Sequence, residues 1–122
     1  MGIKVLIADD DALARALIEE IIKRDDELEL VGSAGDAAEA VSLAGEHKPD
    51  VAVLDWVMPG GGGPAAAREI QLQSPDTKIV ALTSSDSPEA EMDMLRAGAS
   101  SFLVKGCSPE ELVRTVRAAQ AL

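Results

Sequence analysis

Five short runs of aliphatic and β-branched residues alternate along the chain with stretches of helical periodicity. The runs are Ile3 to Ala8 (IKVLIA), Leu28 to Ala34 (LELVGSA), Val51 to Asp55 (VAVLD), Lys78 to Thr83 (KIVALT) and Ser101 to Val104 (SFLV). The first, third, fourth and fifth are nearly continuously apolar, which predicts strands of a sheet covered on both faces. The second alternates apolar with polar residues and predicts an edge strand. Between the runs, Leu13, Leu17 and Ile21 with Ile18 and Ile22 form one helical stripe. Ala37, Val41 and Ala44 form another, and Met94, Leu95 and Ala97 a weaker third.

Start and stop chemistry agrees with this division. Asp36 precedes Glu39 by three residues, and Ser108-Pro109 precedes Glu111, both patterns of a capping box. Ser87-Pro88 has the same opening, and Gly98 is placed to end that helix. Strands alternating with helices of about 10–15 residues predict right-handed βαβ units and a parallel sheet. The expected fold class is therefore α/β, a (βα)5 doubly wound domain. At 122 residues the chain makes one domain spanning 1–122. The one loose stretch runs from Pro59 to Pro64, where four glycines predict a mobile connection in the absence of a ligand.

Composition narrows the partners. Aromatic residues are 2% of the chain, so alanine, valine, leucine and isoleucine must fill the core. The net charge of −11 argues against direct contact with nucleic acid, whose phosphates need a basic face, and against docking on anionic lipid. No run reaches the length of a membrane span, and the N-terminus lacks signal-peptide regions. The single Cys107 has no internal disulfide partner, which fits a reducing cytoplasm. His47, at a polar helix end, reads as a surface residue.

In a doubly wound fold, ligands bind beyond the carboxyl ends of the strands. Strand one ends in Asp9-Asp10-Asp11, strand three in Asp55, strand four in Thr83-Ser84, and Lys105 follows strand five. Carboxylates, a hydroxyl and an amine thus converge on one edge. Asp11 alone suits a helix cap. Asp9, Asp10 and Asp55 together would repel one another, and a hard divalent cation such as Mg2+ relieves that conflict. An aspartate beside Mg2+, faced by Lys105 and Thr83, is an arrangement for accepting a phosphoryl group.

These residues carry a resemblance to the receiver domain of bacterial two-component response regulators. The motifs are VLIADD, VAVLDWVMPGGGG, IVALTSS and AGASSFLVKG running on into SPEELVRTV, so that the match spans essentially the whole chain. The intervals are 45 residues from Asp10 to Asp55, 28 to Thr83 and 22 to Lys105. The resemblance implies a flavodoxin-like sheet of strand order 2-1-3-4-5. It implies Asp55 as phospho-acceptor from a sensor histidine kinase, in a domain that is not a separate enzyme but assists its own phosphorylation and dephosphorylation. It implies Mg2+ held by Asp10 directly, Asp9 mainly through water, Asp55, and the backbone carbonyl of Val57. Thr83 and Lys105 would contact phosphoryl oxygens, and Phe102 takes the position of the switch aromatic. Val57 and Ser85 take positions that screen hydrolytic water. The changed surface would be the fourth helix, fifth strand and fifth helix, acting on an output domain or downstream protein, with a homodimer through that face.

The chain departs from the family pattern where Lys105-Gly106 replaces the common Lys-Pro with its cis bond. KGCSPEEL resembles the LuxR/NarL-type subclass with helix-turn-helix outputs, which implies transcription regulation; the chain itself is expected to hold no output domain. Trp56 is expected to be partly exposed, with fluorescence that responds to Mg2+. A haloacid-dehalogenase-type phosphatase would need a second aspartate two residues after Asp55, where Val57 stands, and neither Walker A nor G-x-G-x-x-G follows strand one. The alternative is a phosphorylation-independent pseudo-receiver, a protein-interaction module that keeps the fold without the chemistry.

Overall fold

A computed structural model describes residues 2–84 and 87–122. The order of elements is β1 (Ile3–Ala8), α1 (Ala12–Arg24), β2 (Leu28–Ala34), α2 (Ala37–His47), β3 (Val51–Asp55), α3 (Gly62–Gln73), β4 (Lys78–Thr83), α4 (Pro88–Arg96), β5 (Ala99–Val104) and α5 (Pro109–Gln120). All strand pairs are parallel, in the order β2-β1-β3-β4-β5, as expected.

The continuous apolar runs are explained by burial on alternating faces. Val5, Ile7, Val51, Val53, Val80 and Leu82 point to one side, where Ile22 of α1 and Leu112, Val116 and Ala119 of α5 cover them. Leu6, Ala8, Ala52, Leu54, Ile79 and Ala81 point to the other, under α2, α3 and α4. The second side is rich in alanine, from Ala37, Ala40 and Ala44 to Ala66 and Ala67, so its helices approach the sheet on small side chains.

Three helix starts are fixed by the caps foreseen. Asp36 accepts from the Glu39 amide at 2.8 Å, Ser87 from Ala90 at 3.2 Å and Ser108 from Glu111 at 3.1 Å. Asp11 caps α1 through the amides of Leu13 and Ala14. Gly98 follows α4 with φ 113°, a left-handed conformation that suits glycine at a helix end.

Four expectations need correction. The stripe assigned to α1 is too wide: Leu13 is 72% and Leu17 59% exposed, while Ile22 is fully buried. Nine residues at 3.6 per turn are two and a half turns, so Leu13 lies on the side opposite Ile22. Leu95, placed in the α4 stripe, is also exposed. The last strand begins at Ala99, and it is the second edge of the sheet, with Ser100 and Val104 exposed. The stretch read as loose from Pro59 to Pro64 is partly helical, because α3 starts at Gly62. Gly60, Gly61 and Gly62 all have positive φ, and the Pro59 carbonyl accepts from the Ala37 amide at 3.1 Å.

Candidate functional site

The carboxyl ends of the strands meet in register. Ala8 pairs with Leu54, Asp55 with Leu82, and Thr83 with Val104. Main-chain hydrogen bonds then continue one residue past the strands. The Asp9 amide donates to Ala34 at 3.0 Å, Trp56 to Leu82 at 2.9 Å and Lys105 to Thr83 at 2.6 Å. The backbone under the site is therefore an extension of the sheet.

On this mount, Asp9 and Asp55 are 1% and 3% exposed, and Asp10 is exposed. Each of the three offers a carboxylate oxygen within 4.8 Å of the others. The Lys105 ammonium bridges the two buried members, 2.9 Å from Asp55 Oδ2 and 3.0 Å from Asp9 Oδ2. It also donates to Asp9 Oδ1 at 3.1 Å, while the Asp11 amide donates to that same oxygen at 2.9 Å. Oδ2 lies close to Nζ but off its hydrogen-bonding direction, so this buried oxygen has an ionic neighbour without a hydrogen-bond donor. The Val57 amide donates to Asp55 Oδ1 at 3.3 Å.

Burial pushes the Asp55 carboxyl up from 3.8 to about 6; the hydrogen bond from Lys105 opposes the shift and the charge of Asp9 reinforces it. For Lys105, burial works against the charged form, but hydrogen bonds to Asp55 and Asp9 more than offset it and hold the ammonium above its ordinary value. Three carboxylates thus face one ammonium. The excess negative charge, the hard oxygen donors and the unmatched Asp9 oxygen fit a Mg2+ ion.

The expected site residues fall into two groups. Asp9, Asp10, Asp55 and Lys105 come together through these contacts. Thr83 is buried at the end of β4, one residue past Leu82, the register partner of Asp55, and Phe102 is half-buried against the core on the α2, α3 and α4 side. Parallel alternation puts Thr83 and Phe102 on the same face of the sheet. Val57 is exposed, and Trp56 is half-buried against the core. Ser85 lies outside the described residues. His47 forms a 3.7 Å contact with Glu46 at the end of α2.

Two neighbours of the cup escaped the sequence reading. Gly63 is buried directly behind Asp55, and its amide donates to the Trp56 carbonyl at 2.9 Å. Arg15 donates from Nη1 to the Asp9 carbonyl at 2.7 Å. The first was hidden among four consecutive glycines. The second reads in sequence as one charge on the polar face of a helix, half a turn from Leu17, and no local signal gives its inward direction.

A parallel doubly wound domain with an acidic cup, a buried aspartate and a bridging lysine at one sheet edge has the architecture of a phosphorylation-switched signalling domain. The model of the response regulator receiver domain matches residues 5–117, and the chain belongs to that family. It is 39% identical over 115 residues to the DNA-binding transcriptional activator DevR/DosR of Mycobacterium tuberculosis, covering 94% of this chain and 53% of that protein. It is 38% identical to the oxygen regulatory protein NreC of Staphylococcus epidermidis, covering 93% of this chain and 53% of that protein. The chain spans about half the length of the curated relatives it matches, which are regulators of the NarL/LuxR type. Among solved structures, the receiver domain of the putative response regulator NarL from Mycobacterium tuberculosis superposes with a TM-score of 0.93 at 30% identity, over 98% of this chain and 97% of that one. No helix among the described residues is long and apolar enough to cross a membrane.

Proposed function

We propose that Asp55 accepts a phosphoryl group from the phosphohistidine of a sensor histidine kinase, and that the resulting aspartyl phosphate switches the surface made by α4, β5 and α5. A carboxylate oxygen of Asp55 attacks phosphorus as the bond to the histidine nitrogen breaks; that nitrogen leaves with the electron pair. The observation that carries this reading is the Lys105 ammonium held between Asp55 and Asp9, 2.9 and 3.0 Å away, where a cation can follow negative charge from carboxylate to phosphoryl oxygen. Asp9, Asp10, Asp55 and the Val57 carbonyl are the groups to hold Mg2+, which when bound supplies charge neutralisation for the phosphoryl oxygens.

Thr83, at the end of the neighbouring strand, is the hydroxyl to meet the phosphoryl group. Its movement toward Asp55 opens space on the face it shares with Phe102, whose inward turn would carry the change to β5. Residues 1–122 make one receiver unit whose effect passes to an output domain or downstream protein, with a homodimer through the α4, β5 and α5 face. The unit assists its own phosphorylation and dephosphorylation rather than turning over a separate substrate, and it works in the cytoplasm. With a net charge of −11 it does not bind nucleic acid itself. Incubation with acetyl phosphate and Mg2+ should add the mass of one phosphoryl group to the wild type and none to Asp55→Asn. An adduct that persists in Asp55→Asn overturns the assignment.

A further inference from the structure

We propose that Arg15 is a positioning residue for the metal-facing carboxylates, acting through the peptide that joins Asp9 to Asp10. Arg15 lies seven residues before Ile22, about two turns, so it shares the inward side of α1. Its Nη1 donates to the Asp9 carbonyl at 2.7 Å, and its Nε lies 3.9 Å from Glu19 Oε2, an oxygen that also accepts from Ser33 Oγ at 2.6 Å. On its other side the guanidinium rests against Gly35, where an added Cβ would stand 3.1 Å from Nη1. The side chain is thus clamped between α1 and the end of β2.

The consequence follows from peptide planarity. The Asp9 amide is already fixed by Ala34 at 3.0 Å. Fixing the Asp9 carbonyl sets the plane of the next peptide, and with it the directions in which Asp9 and Asp10 project. Arg15 does this at an electrostatic disadvantage, because a guanidinium beside a cation site repels the cation. The two effects have opposite signs. A residue acting only through its field would weaken metal binding, and its removal would tighten it; a positioning residue does the reverse.

The inference rests on the reading of Asp9, Asp10 and Asp55 as a metal site, and the test separates the two. Free Mn2+, a hard-cation stand-in for Mg2+, is measured by electron paramagnetic resonance during titration of wild type and Arg15→Gln, well below their melting temperatures. Arg15→Gln should bind Mn2+ about tenfold more weakly, the loss typical when a partner behind a metal ligand is removed. Phosphorylation by acetyl phosphate should need proportionally more Mg2+ to reach half its maximal rate, while the maximum itself is unchanged. Equal or tighter Mn2+ binding by Arg15→Gln overturns the inference; failure of the wild type to bind Mn2+ overturns the metal-site reading beneath it. Should Arg15→Gln not fold, Gly35→Ala decides: it crowds the guanidinium without altering any charge, so weaker Mn2+ binding upholds the role and unchanged binding refutes it.

Discussion

Gly63 offers the sharpest test of how the fold positions Asp55, the proposed acceptor. Its φ is not in the left-handed region, so replacement by alanine is a steric question alone. A Cβ there would fall inside contact distance of the Asp55 carbonyl oxygen, 3.0 Å from Trp56 Cα and 3.1 Å from the Asp55 carbonyl carbon. All three are backbone atoms and cannot rotate aside. Carbon atoms pack best about 3.5–4.0 Å apart, so the start of α3 and the end of β3 must separate by at least about half an ångström. Overpacking of this kind costs about 1–3 kcal/mol. With an unfolding entropy of about 2.1 cal/mol/K per residue, each kcal/mol lowers the melting temperature of this domain by about 4 °C. Gly63→Ala should therefore melt about 4–12 °C below wild type by circular dichroism. Because the clash bears on Asp55, the proposed acceptor, phosphorylation of the variant by acetyl phosphate should slow by roughly tenfold, a displacement of 1 Å being worth up to about a hundredfold.

Gly45→Ala is the matched control. Its Cβ would meet only the tip of the exposed Gln73 side chain, at 2.6 Å, which can swing away. Alanine inside a helix gains about 0.5–1 kcal/mol over glycine, so this variant should melt about 2–4 °C higher and phosphorylate normally. A Gly63→Ala protein that melts and phosphorylates as wild type would refute the argument, as would equal destabilisation of both variants.

Burial of the Asp55 charge has a cost that should appear when chelator is present. Its folded value of about 6 against an ordinary 3.8 means the folded chain binds the proton more tightly, so stability falls as pH climbs between those values, by about 3 kcal/mol. Asp55→Asn should accordingly be more stable than wild type in urea at pH 7.5, with the difference vanishing below pH 4; a constant difference across that range would contradict the sign. Lys105→Met leaves Asp9 and Asp55 facing each other without their cation and should lose about 2–3 kcal/mol in chelator, discounted from a fully buried pair because Lys105 is a quarter exposed. Millimolar Mg2+ should return part of that loss, and no recovery would argue against a cation site. Burial, with Glu111 nearby, raises the Cys107 thiol above its ordinary value; iodoacetamide should label it more slowly at pH 8 than it labels a small free thiol, and faster labelling would show the opposite environment.

The strands and the cup were legible because their signals are local. An apolar run that ends in Asp or Lys specifies a buried strand and a charged rim, and Asp9, Asp55 and Lys105 all followed from that. The caps at Asp11, Asp36, Ser87 and Ser108 were legible for the same reason, since each acts within three residues. Leu13 and Leu17 misled because an amphipathic stripe gives the helix a wet and a dry side without saying where the dry side stops, and Ile22 alone settles it. Gly63 and Arg15 stayed hidden because their partners, Asp55 and Asp9, are fixed by how α3 and α1 lie on the sheet. Nothing in the neighbouring letters encodes that.

The hydrogen bonds that carry the sheet one residue past its strands also limit how the domain can answer a chemical event. Since Asp9, Trp56 and Lys105 are stitched to Ala34, Leu82 and Thr83, the floor of the cup has little freedom to yield. Any strain introduced at Asp55 has to escape sideways, through rotating side chains and the loops above the rim. A stiff anvil of this sort turns a small local change into motion at the periphery.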